Sequence, residues 1–62
     1  MDTAKVEAVV RKSLANAEAA EMSMNKRIEH AVRAVMQVFP TLSQDEAVTA
    51  VRRVQDKMAA GS

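Results

Sequence analysis

Apolar residues step alternately four and three positions through the first part of the chain, at Val10, Leu14, Ala17, Met24, Ile28, Ala31, Val35 and Val38, with Glu21 the one polar residue on the line. This step keeps one face of a helix dry, because an α-helix makes a turn every 3.6 residues. No stretch shows the sustained alternation that marks a half-buried strand. Good helix formers (Ala, Glu, Lys, Arg, Met) fill the segment from Thr3 to Phe39, and the sequence holds a single Pro, at position 40, and a single Gly, at position 61.

The clearest punctuation is Phe39-Pro40-Thr41-Leu42-Ser43. Proline disfavours helical geometry in the residue before it, so a helix is expected to end near Val38 or Phe39. Ser43 and Glu46 have the spacing of a capping box, with Leu42 and Ala47 at the hydrophobic-staple positions around it. Asp45 and Glu46 suit the positive end of the dipole of the helix that starts there. That helix carries Ala47, Val51, Val54 and Met58 on one face, and Ala59 to Ser62 are expected to fray.

Whether residues 3–39 form one helix or two turns on Glu21 to Asn25. The stripe keeps its phase there, but Ser23 and Asn25 are both capping residues, and Glu21 stands where the stripe wants an apolar group. The stripe is narrow and Ala-rich before Glu21. After it, Ile28, Ala31, Val32, Val35, Met36 and Phe39 cover a broad face, as a helix inside a globular bundle requires. Val32 and Ala34 flank the seam where a two-stranded coiled coil would place charges. The expected architecture is all-α: a small three-helix bundle with helices over roughly 3–21, 24–39 and 43–59. A long helix folded onto a short one is the alternative. Residues 1–60 make a single domain, with 61–62 a frayed tail or a remnant of cloning.

Composition adds a constraint. Of 62 residues 30 are hydrophobic, but 12 of these are Ala and nine are Val. A chain this short buries only about 60% of its unfolded surface, and small side chains contribute little area each. Disulfides or a metal commonly rescue such domains, yet there is no cysteine and only one histidine. Helix-on-helix association, most simply a homodimer, is therefore expected. The formal charge of +1 argues against bulk attraction to nucleic acid or anionic lipid, and no apolar run approaches a signal or membrane-spanning length. A cytoplasmic location is expected.

Chemistry-bearing constellations are sparse. His30 has Lys26 four residues before it and Arg33 three after, a cationic face rather than a base–orienter pair, and Glu29 is expected to point elsewhere. Ser13, Ser23 and Ser43 read as solvated helix surface or caps, and no triad can be assembled. Neither catalytic residues nor a cofactor, metal or small-molecule substrate are expected. Of the five methionines, Met24, Met36 and Met58 read as gap-fillers on or beside the core stripes. Val38-Phe39-Pro40, with Leu42 two residues on, is similar to the Met-Phe-Pro motif that ends the first helix of ubiquitin-binding CUE domains. The likeness covers five residues, has Val38 in place of methionine and lacks the family's third helix with its di-leucine end. It implies a helix corner and no family membership.

The expected function is that of a non-enzymatic protein–protein interaction module, a small self-associating adaptor or regulatory subunit. Its partner or dimer interface is expected at Val10, Leu14, Ala17, Met24, Ile28, Val32, Val35, Phe39, Val51 and Val54. The alternative is a small nucleic-acid-binding regulator, with Arg11, Lys12, Lys26, Arg27, Arg33, Arg52 and Arg53 forming a basic strip across a dimer. Pairs at i,i+4 spacing, Glu29 with Arg33 and Arg52 with Asp56, are expected to offset part of that charge. A helix-turn-helix reader fits poorly, because its recognition helix would open with Gln44, Asp45 and Glu46. No membrane partner is expected.

Overall fold

In a computed structural model describing residues 3–61, the chain forms α1 (Thr3–Ala19), α2 (Met24–Val38) and α3 (Gln44–Ala60), with no strand among the described residues. Residues 3–39 are thus two helices, and the break falls at the defect in the stripe. Glu21 adopts φ 58°, in the left-handed region. The Met22 N–H donates to the Ala17 carbonyl (3.1 Å) and the Glu21 N–H to the Glu18 carbonyl (2.9 Å). This pair of bonds is a Schellman motif, which satisfies carbonyls that the helix end would otherwise leave without partners. Glycine is the usual residue at that position, so nothing in the composition around Glu21 announces the motif.

Two residues later Ser23, in extended geometry, caps α2 by accepting from the Lys26 N–H at 3.4 Å. The Arg27 Nε donates to the Met22 carbonyl at 2.9 Å, which ties the first turn of α2 to the connection before it. At the second connection Phe39 leaves helical geometry (φ −123°, ψ 78°), as a residue before proline must. The Leu42 N–H returns to the Phe39 carbonyl at 3.0 Å. The capping box is complete: the Glu46 N–H donates to the Ser43 Oγ at 3.2 Å, and the Ser43 N–H to the Glu46 Oε1 at 3.1 Å. Leu42 and Ala47, the staple pair, are both buried. Ala59 and Ala60 lie within α3, and the Gly61 N–H donates to the Lys57 carbonyl. Met1, Asp2 and Ser62, the last a part of the expected tail, lie outside the described residues.

The helices close on one core. Val10, Val35, Val51 and Val54 are fully buried in it together with Ala31 and Ala47, while Ile28, Met36, Phe39 and Val48 pack around it half-buried; Ala17 is fully buried as well. Ser13, expected on the surface, is 6% exposed. Its short side chain can face the interior where a longer one would hold the helices apart, and no buried side-chain polar atom is left without a partner among the described residues. The radius of gyration, 10.7 Å, matches the value of about 10.6 Å usual for this length.

Replacing Glu21 by Gly is expected to stabilise the fold by about 1 kcal/mol, because glycine reaches the left-handed region without a Cβ penalty. For a domain of this size that is a rise in Tm of about 4–8 °C in a thermal scan. Val35→Asp places a carboxylate at a site with no exposed surface, at a cost comparable to a total stability on the order of 3–9 kcal/mol. Loss of the helical circular-dichroism signal at 25 °C is the expected readout.

Candidate interaction surface

The residues expected at a partner interface divide sharply in the folded chain. Val10, Leu14, Val32, Val35, Val51 and Val54 belong to the core of a single copy, and Ala17 is buried as well. Ile28 and Phe39 are half-covered, and only Met24, at 58% exposure, is open. The stripe therefore closes on the chain's own helices, and contact with a partner falls to what the fold leaves uncovered. Among the described residues three large apolar ones remain so: Met24, Val38 at 55% and Met58 at 44%.

Met24 and Met58 border the same hollow, one of about 330 Å³ that they line with Leu14 and Glu18 from the end of α1, Arg27 from the start of α2, and Gln55, Asp56 and Ala59 from the end of α3. The Gln55 Nε2 donates to the Met24 Sδ at 3.3 Å, linking α3 to the first residue of α2. The expectation that both methionines fill core gaps is corrected here. The core stripes run on into the end of the bundle, where neighbouring helices have begun or ended and give no cover. Met36 alone of the three packs against the core.

A second hollow of about 330 Å³ opens between the starts of α1 and α3. Val6, Leu42 and Ala50 form its apolar part, and Asp45, Glu46 and Arg53 stand among its polar residues. Here Glu46 is engaged in the capping box. On the outer side of α2, Met22, Lys26, Glu29, His30 and Arg33 line a smaller hollow of about 200 Å³. Glu29, expected to point away from His30, shares this hollow with it, although no hydrogen bond joins the two. It lies 4.0 Å from Lys26, with both side chains mostly in water, so the pair contributes little. Among the described residues no ion pair joins Glu29 to Arg33 or Arg52 to Asp56. Long exposed side chains gain too little from such contacts to be held in one geometry. No three His, Asp or Glu side chains gather as metal ligands among the described residues.

The basic residues do not line up as one strip on a single copy. Lys26 and Arg33 share the outer hollow of α2, whereas the Arg27 Nε is bound to the Met22 carbonyl. Arg11 and Arg53 lie near Glu7, and Lys12 and Arg52 are exposed on α1 and α3. At the centre of the Glu7 group, the Lys57 ammonium donates to the Glu7 Oε1 at 2.6 Å. That bond holds the Glu7 carboxyl below its ordinary value of 4.5; partial burial works against it, while the charges of Lys57, Arg11 and Arg53 add to it. The pair links residues 50 positions apart, beyond the reach of any local sequence pattern.

Comparison with protein-family models, with curated proteins and with solved structures finds no match for this chain.

Because the pKa of Glu7 is lower folded than unfolded, its contribution to stability is present above the unfolded value and disappears as pH falls through the folded one. Lys57→Met is expected to move the Glu7 titration upward in a carboxyl-carbon NMR experiment. It is also expected to reduce stability at neutral pH while leaving it unchanged in acid, where Glu7 is protonated in both forms.

Proposed function

We propose that the chain is a non-enzymatic helical protein–protein interaction module, a small self-associating adaptor or regulatory subunit that acts in the cytoplasm as a homodimer and engages another protein. The observation that carries this reading is the pair of exposed methionines at one end of the bundle. Exposed apolar side chains that share one hollow with a polar rim suit a contact surface. Methionine suits such a role, since its flexible thioether adapts to the shape of what it meets.

One further property is compatible with association. The net charge of +1 gives two copies little reason to repel.

The alternative, a nucleic-acid-binding regulator, draws on the hollow where Lys26, His30 and Arg33 meet on α2. It requires several phosphate contacts per complex, and therefore an affinity that falls steeply with salt. On the proposed reading, duplex and single-stranded DNA and RNA show no binding at low salt, and sedimentation equilibrium gives a mass that rises above 6.7 kDa with concentration. Tight, salt-sensitive binding would establish the alternative instead. A mass fixed at 6.7 kDa up to millimolar protein would remove self-association.

A further inference from the structure

The hollow beneath Met24 and Met58 has a rim of mixed charge. Glu18 and Asp56 stand on it with no ion pair among the described residues, and Arg27 stands with them. The Arg27 guanidinium is held in place through its Nε, which donates to the Met22 carbonyl at 2.9 Å. Its two terminal nitrogens remain to donate, and they form the planar fork that matches a carboxylate.

We propose that this end of the bundle is the docking site for a second copy of the chain, related by a two-fold axis. Met24 and Met58 of each copy pack against those of the other, and Arg27 of each faces Glu18 and Asp56 of the other. The proposal rests on the self-association reading above and assigns it a surface.

The charge pattern fits this occupant better than a partner of one sign. A basic partner would meet the Glu18 and Asp56 carboxylates favourably but find Arg27 opposing it, and an acidic partner would meet the reverse. A two-fold contact requires a patch complementary to itself, and an apolar centre with both signs on its rim meets that requirement. Because Arg27 is already anchored, pairing it loses less side-chain freedom than pairing a mobile surface arginine. The hollow is small and the bundle measures only 29 × 22 × 16 Å, so the contact belongs to the class below about 1,200 Å² in total, where weak and transient encounters fall.

Sedimentation equilibrium over micromolar to millimolar protein tests the proposal. The wild-type mass is expected to rise from 6.7 kDa toward twice that value. Glu18→Arg with Asp56→Arg makes the rim wholly positive, and Arg27→Glu makes it wholly negative. Each variant alone is expected to associate at least tenfold more weakly, and an equimolar mixture of the two is expected to recover the dimer. Met24→Glu with Met58→Glu is expected to abolish association while leaving helical circular dichroism unchanged. Where Arg27→Glu fails to fold because the Met22 carbonyl has lost its donor, the Glu18/Asp56 and Met24/Met58 variants decide, since they leave that bond intact. Wild-type association that survives both of these variants overturns the proposed surface while the self-association reading stands. Wild-type protein fixed at 6.7 kDa overturns both.

Discussion

The three helices meet at side chains that are almost all valine or alanine, and the closeness of that meeting governs the rest of the molecule. Val10, Val35, Val51 and Val54, with Ala17, Ala31 and Ala47, leave no exposed surface. Small side chains offer little area each, so the core holds only if the helices approach closely and leave few voids. A buried serine at position 13 fits the same condition. Larger apolar groups, Ile28, Met36 and Phe39, sit at the margin, where they have room.

Close approach demands well-defined helix ends, and the chain supplies them by two different means. At the second connection the instructions are local: proline sets the exit from α2, and Ser43 with Glu46 sets the start of α3. At the first, a left-handed Glu21 lets α1 stop at Ala19, and the Arg27 guanidinium grips the Met22 carbonyl from the next helix. A glutamate is an unfavourable choice for that backbone conformation. Its persistence reflects the packing of α1 on α2, the most extensive helix contact in the fold, which outweighs the local cost.

A core of this kind also decides what is left outside. The stripes continue past the point where all three helices overlap, and the residues on those extensions, Met24 and Met58, become a surface feature. Their neighbours Glu18, Arg27 and Asp56 acquire a shared setting that none of them has along its own helix. Structure and association are therefore connected: the geometry that closes the core creates the patch on which the proposed dimer would form.

Much of this was legible in the amino-acid order. Helical periodicity, the lack of strand alternation and the proline corner determined an all-α chain, and the capping box located the start of α3 within a residue, because each of these signals acts over a few neighbouring positions. The break was marked by the polar Glu21, by Ser23 as a capping residue and by the widening of the stripe, but the left-handed turn itself was not legible, since a Schellman turn without glycine leaves no compositional trace. The apolar stripe announced burial but not against what. The same i, i+3, i+4 spacing serves a partner helix or the chain's own, and only the tertiary arrangement turned Val10, Leu14, Val35 and Val51 inward while leaving Met24 open. Likewise the Glu7–Lys57 bond and the hollow shared by Met24 and Met58 bring together residues far apart in sequence. Their proximity is decided by how helices cross, which no local pattern encodes.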